Sequence, residues 1–155
     1  ESDFGFQFVI LILMREVLFF KEGVEYPVFF SEALINKWLD SIAVYYSKKI
    51  GALSFIFCSD DYILDVNRNY LSHDYYTDVI TFDYCEGDLL SGDVFISLDT
   101  VYSNSLQFQS GFENEFHRVI CHSVLHLIGY KDKTDADSKI MRLNENICLE
   151  LLKTL

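Results

Sequence analysis

Proline is almost missing from this chain: Pro27 is its only one in 155 residues, and glycine is held to seven. A composition so poor in both excludes Pro- or Gly-rich linkers and collagen-like or low-complexity character. Basic residues are scarce as well, with 12 Lys and Arg against 24 Asp and Glu and a net charge of −12. Proteins that coat nucleic acid rely on clustered cations and counterion release, so the balance argues against that class while leaving room for a local basic groove. Arg68, Arg118, Lys131 and Lys133 are the cations near the motifs described below. Cysteine pairs are absent: Cys58, Cys85, Cys121 and Cys148 lie far apart among apolar neighbours with no C-x-x-C, which excludes a zinc ribbon or a thiol redox motif. Buried free thiols fit a reducing compartment, and the expected location is the cytoplasm.

No apolar run is long enough to span a bilayer. The longest, residues 4–14, follows Glu1 and Asp3 and precedes the first cation, Arg15, so it lacks the positive flank of an export signal. Met14 is a candidate natural start, with residues 1–13 upstream of it. What the chain does contain is core material: half of its residues are apolar, with 14 Phe and 10 Tyr. At 155 residues the expectation is a single domain, 1–155, able to bury a core without disulfides.

The pattern alternates between helix and strand. Residues 15–21 read as a first strand. Ser31 can cap a helix whose apolar positions Ile35, Trp38, Leu39, Ile42 and Tyr46 keep helical spacing until Gly51. Residues 52–58 read as a buried strand, Ser59 or Asp60 as the cap of a second helix through Tyr70, and residues 78–84 as an alternating strand. A turn at Glu86, Gly87 and Asp88 leads to an antiparallel partner over 92–98, and Asp99 is the expected cap of a short helix. Ser110 and Glu113 stand in capping-box spacing before the next helix, and Thr134 precedes the last. In that last helix Ala136, Ile140, Leu143, Ile147 and Leu151 are expected to face the core rather than an oligomer partner.

The helix after Ser110 is apolar nearly all round yet carries His122 and His126. Four residues apart, they share one face, one turn above the other, within reach of one metal ion. In a buried stretch an unsatisfied imidazole costs roughly 1–3 kcal/mol, which weighs toward a ligand role. Gly129 can end the helix and turn the chain back, bringing Asp132 to the same face. Two nitrogen donors and one carboxylate suit zinc with its fourth position open, the arrangement of a catalytic rather than a structural site. Metzincin proteases share the spacing, but their general-base Glu is replaced by Ser123, which weakens a peptidase reading.

The segment from His122 to Asp132, H-S-V-L-H-L-I-G-Y-K-D, resembles the YbeY endoribonuclease signature H-G-x-L-H-L-x-G-Y-D-H, with Ser123, Lys131 and Asp132 as departures. Residues 66–82 are similar to a second motif of that family, matching at Asn67, Tyr70, Asp74, Thr77, Asp78, Val79 and Phe82, while Leu71 and His73 stand where the family has Arg and Lys. Gly92 and Asp93 fit a further G-D-I strand. The resemblance implies an α/β (α+β) fold, a mixed four-stranded sheet packed by about five helices, with the metal on a central buried helix. It also implies one zinc per chain on His122, His126 and Asp132, and single-strand-specific RNA cleavage in small-subunit ribosomal RNA 3′-end maturation and ribosome quality control. The expected partners are ribosomal RNA and ribosomal particles or ribosomal proteins, with no membrane. Asp74 and Asp78 are candidates for proton transfer, and His73 with Arg68 for substrate contact. A zinc peptidase-like hydrolase and a non-catalytic assembly factor with a structural zinc remain as other readings.

Overall fold

The computed structural model describes residues 15–73 and 77–155. The expectations for residues 1–13 and for Asp74 lie outside the described residues. The elements are β1 (Glu16–Glu22), α1 (Glu32–Tyr45), β2 (Lys49–Cys58), α2 (Asp60–Leu71), β3 (Val79–Asp83), β4 (Leu89–Ser97), α3 (Leu98–Gln107), α4 (Phe112–Ile128) and α5 (Asp135–Lys153). The sheet order is β1-β2-β4-β3, with β1, β2 and β4 parallel and β3 antiparallel to β4. Among the described residues this is the expected mixed four-stranded α/β sheet with five helices. Parallel neighbours require crossovers, which α1 supplies between β1 and β2, whereas the tight turn before β4 allows the antiparallel hairpin.

Local chemistry sets most of the helix starts. Ser31 accepts from the Leu34 N–H as expected, Ser59 rather than Asp60 accepts from that of Tyr62, and Thr134 caps the last helix by accepting from that of Asp137. Two caps differ from expectation. Ser97, not Asp99, caps α3, because the Asp99 carboxylate instead accepts the Asp60 N–H at 3.0 Å. In return the Asp60 carboxylate accepts the Ser97 and Thr100 hydroxyls, so the starts of α2 and α3 are tied where β2 and β4 end. The capping box at Ser110 and Glu113 does not form either: Gly111 is the N-cap of α4, and the Ser110 hydroxyl donates to the Glu115 carboxylate. The first helix also ends at Tyr45 rather than running to Gly51. Ser47 takes positive φ, Lys48 N–H turns back to the Ala43 carbonyl, and residues 49–50 are claimed by pairing with Leu89 and Leu90.

The core lies between the sheet and the layer of α1, α4 and α5. Phe55, Phe57, Val94 and Ile96 from the strands meet Trp38 and Leu39 of α1 and Phe116, Ile120, Val124 and Leu125 of α4, all essentially without solvent exposure. Burying each such side chain contributes about 1.5–3 kcal/mol, which makes α4 the central element of the packing. Gly92 is required where β4 crosses β3 and α4: a Cβ there would collide with the Phe82 carbonyl oxygen and press on Leu127. The Trp38 indole N–H donates to the Cys148 carbonyl at 2.7 Å and links α1 to α5.

The expected core face of α5 is only partly found: Leu151 packs against the core and Ile147 is half-buried, but the rest of that face is turned to solvent. Ile140 and Leu143 are 49% and 61% exposed, and the buried face is Met141, Asn144, Glu145 and Cys148. Polar partners on neighbouring elements set this rotation. Asn144 accepts the Tyr46 hydroxyl at 2.7 Å, and Glu145 meets Arg118 and His122. Among the described residues no helix is long and apolar enough to cross a membrane.

Candidate metal centre

His122 and His126 project from the C-terminal half of α4, and their Nε2 atoms lie 3.0 Å apart. The helix then stops at Gly129, whose φ of +122° is a conformation that side chains rarely tolerate. There the Gly129 and Tyr130 N–H groups both fold back onto the Leu125 carbonyl. The reversal carries Asp132 over the two rings, its Oδ2 at 3.2 Å from His122 Nε2 and 3.3 Å from His126 Nε2. The structure thus brings together the three residues singled out in the sequence. Among the described residues they form the group of His, Cys, Asp and Glu side chains able to hold a metal ion.

The donor chemistry fits a cation. His126 Nδ1 is 3.0 Å from the Tyr130 carbonyl oxygen, which can only accept, so the ring proton sits on Nδ1 and Nε2 carries a lone pair. His122 Nδ1 faces the Glu145 carboxylate at 2.7 Å, so in the neutral ring the proton sits on Nδ1 and Nε2 carries the lone pair. Two imidazole lone pairs and a carboxylate oxygen at 3.0–3.3 Å repel one another unless a proton or a metal ion sits among them. Tetrahedral zinc with bonds of about 2.0–2.1 Å sets its ligand atoms about 3.3–3.4 Å apart, close to this triangle.

Behind the triangle lies a layer that the sequence reading missed. Glu145, 5% exposed, receives the Arg118 guanidinium at 3.0 Å on the oxygen that does not face His122, with Arg142 at 3.5 Å. Burial disfavours the Glu145 carboxylate, but His122 and Arg118 outweigh it and hold its pKa below the usual range. Burial likewise opposes an imidazolium at His122. The Glu145 contact, reinforced by Asp132 and Asp78, prevails and raises its pKa above the ordinary value. The available signal was a glutamate at helical spacing between Met141 and Cys148.

A cleft of about 350 Å³ opens over the His122–His126–Asp132 triangle, walled by Thr77 and Asp78 just before β3, by Val79, Thr81 and Asp83 along it, and by Leu127. Burial pushes the Asp78 carboxyl above the ordinary aspartate range, although nearby His122 and local hydrogen bonds pull the other way. A second cavity of about 310 Å³ continues from Asp78, His122 and Asp132 toward Arg118, Arg142 and Glu145. Cys121 stays out of the centre, buried, with its thiol toward the Arg118 carbonyl.

Residues 20–153 match the family described as Endoribonuclease YbeY. The chain belongs to the YbeY family. It is 53% identical over 131 residues to Endoribonuclease YbeY of Phocaeicola vulgatus, covering 84% of this chain and 94% of the relative. The Porphyromonas gingivalis YbeY is 45% identical over 140 residues, covering 90% and 92%. A solution structure from Thermotoga maritima shares the fold, with a TM-score of 0.60, 27% identity and 88% of each chain covered. Against the YbeY signature, Asp132 stands at the third histidine, and its oxygen reaches both imidazoles. Ser123 stands at the signature glycine, fully buried, its hydroxyl donating to the Ile120 carbonyl at 2.6 Å. Arg68 lies in the last turn of α2 and His73 just beyond its end, and neither lines the two cavities at the His122–His126–Asp132 triangle. Arg68 is about 4.0 Å from Asp65.

Proposed function

We propose that this YbeY endoribonuclease of ribosomal RNA maturation is zinc-dependent and single-strand-specific, and that it acts in the cytoplasm at the 3′ end of the small-subunit species. The observation that carries the reading is the set of three lone pairs converging beneath an open cleft in a YbeY chain. His122, His126 and Asp132 would hold one zinc ion. Zinc bound there supplies Lewis-acid polarisation of a phosphoryl oxygen and acidifies water.

The protein's own groups do the remaining work. The Tyr130 carbonyl keeps the His126 ring proton on Nδ1 and so keeps its Nε2 free. Asp78, with its raised pKa, is placed on the cleft wall to take a proton from the attacking hydroxyl, whether water or ribose 2′-OH, and return it to the leaving oxygen. Thr77 and Thr81 offer hydroxyls to the sugar-phosphate backbone. Arg68 and His73 are proposed contacts for the strand beyond the cleft, in place of the basic pair the family carries. The free thiols of all four cysteines support a reducing compartment. A peptidase reading is weakened by Ser123, which has neither the charge nor the direction of a general base.

Elemental analysis of purified protein beside His126→Ala and Asp132→Ala, followed by incubation with single-stranded RNA, tests the proposal. About one zinc per chain is expected by this catalytic-site chemistry. Both variants should lose it together with chelator-sensitive cleavage. Zinc without RNA cleavage would favour an assembly factor, zinc-dependent cleavage of casein a peptidase, and no metal would overturn the site.

A further inference from the structure

We infer that Glu145 is a positioning residue for the metal centre: clamped by Arg118, it sets the tautomer and orientation of His122 so that Nε2 is presented unprotonated. The inference rests on the metal reading above. A carboxylate taken out of water is destabilising unless its oxygens are satisfied, and a helix joint between α4 and α5 needs nothing beyond the Arg118 pair. Glu145 does more, because its two oxygens have separate partners: Oε1 takes Arg118 at 3.0 Å and Oε2 faces His122 Nδ1 at 2.7 Å. Since a guanidinium only donates, Arg118 fixes which end of residue 145 it faces.

That asymmetry makes the glutamine variant diagnostic. In Glu145→Gln the amide oxygen turns to Arg118, which leaves the amide N–H₂ facing His122 Nδ1. The ring must then accept at Nδ1 and carry its proton on Nε2, the atom that should meet the metal. Removing the Arg118 guanidinium as well, in Arg118→Met/Glu145→Gln, leaves only the exposed Arg142, 3.5 Å from Glu145 Oε1, and so lets the amide turn its oxygen back to His122. A merely structural bridge between the helices would give the opposite order, with the double variant worse than the single.

Zinc affinity, read by competition with a chromophoric chelator, and the ¹⁵N signals of His122 in zinc-free protein at pH 9 together test the assignment. The expected result is an Nδ1–H tautomer in the wild type, an Nε2–H tautomer in Glu145→Gln, zinc binding weakened about 10–100-fold in that variant, and most of the loss recovered in the double variant. Affinity of Glu145→Gln within twofold of wild type, an unchanged tautomer, or no recovery in the double variant would overturn the role. Should Glu145→Gln fail to fold, the wild-type spectrum decides, since an Nε2–H tautomer at His122 would overturn it alone. Wild-type zinc affinity no tighter than that of His122→Ala would instead overturn the metal reading itself, independently of Glu145.

Discussion

Ser123 occupies the position where a metzincin carries its catalytic glutamate, and its surroundings decide what it does. The side chain is fully buried, and its hydroxyl donates to the Ile120 carbonyl one turn back, an ordinary way for serine to satisfy itself inside a helix. Ser123→Ala is therefore expected to keep full zinc content and full RNA cleavage, with thermal stability close to wild type, because alanine is the better helix former. A large loss of kcat with zinc retained would mean that the hydroxyl takes part in the reaction. The two histidines were legible in the sequence because four-residue spacing on an apolar helix is hard to explain otherwise. Glu145 was not, since a lone glutamate on an amphipathic helix normally marks the solvated face.

The elements illustrate how periodicity can name the wrong face. In α5 the apolar residues Ile140 and Leu143 follow helical spacing, yet the helix is turned so that Asn144 and Glu145 point inward. Two hydrogen-bonded polar contacts decide the rotation where hydrophobic patterning alone is ambiguous. The end of α4 is a second case in which one backbone position governs a functional element. Gly129 at φ +122° makes the reversal that places the Tyr130 carbonyl against His126 and Asp132 against both rings. Gly129→Ala should cost about 1–3 kcal/mol in urea unfolding, as expected for a side chain forced into positive φ. It should also weaken zinc binding, since the displaced loop carries one ligand and the carbonyl that orients another. Stability lost with zinc affinity intact would show that the loop is placed by its other contacts.

For the whole molecule, the acidic surface and the buried histidine His117 bear on pH. His117, 5% exposed between Trp38, Phe29 and Phe116, has its pKa lowered from 6.5 by burial, with Glu113 opposing the shift. The unfolded chain therefore binds a proton at a pH where the folded chain does not, and stability rises with pH across that window. The contribution is complete above about pH 6.5 and is lost as pH falls from there toward the lower folded value. Urea unfolding of wild type and His117→Phe between pH 5 and 8, with chelator present to remove the metal's own pH dependence, should give parallel stabilities above the window and a wild type that loses ground below it. Parallel behaviour throughout would show that His117 is protonated as readily in the fold as outside it.

Sequence alone determined the order of helices and strands, the Ser31 cap with Ser59 as one of two candidates for the next, and the grouping of His122, His126 and Asp132. These depend on local spacing and capping chemistry that a neighbour cannot easily undo. Tertiary structure decided what depends on partners distant in the chain. Asp60 and Asp99, 39 residues apart, exchange roles at two helix starts, Ser97 displaces the expected cap, and α5 rotates to satisfy Tyr46, Arg118 and His122. The contacts of Glu145 behind the His122–His126–Asp132 triangle belong to this class. A buried carboxylate is tolerable only where its partners converge, and the packing of α5 against α4 brings Glu145 to both Arg118 and His122.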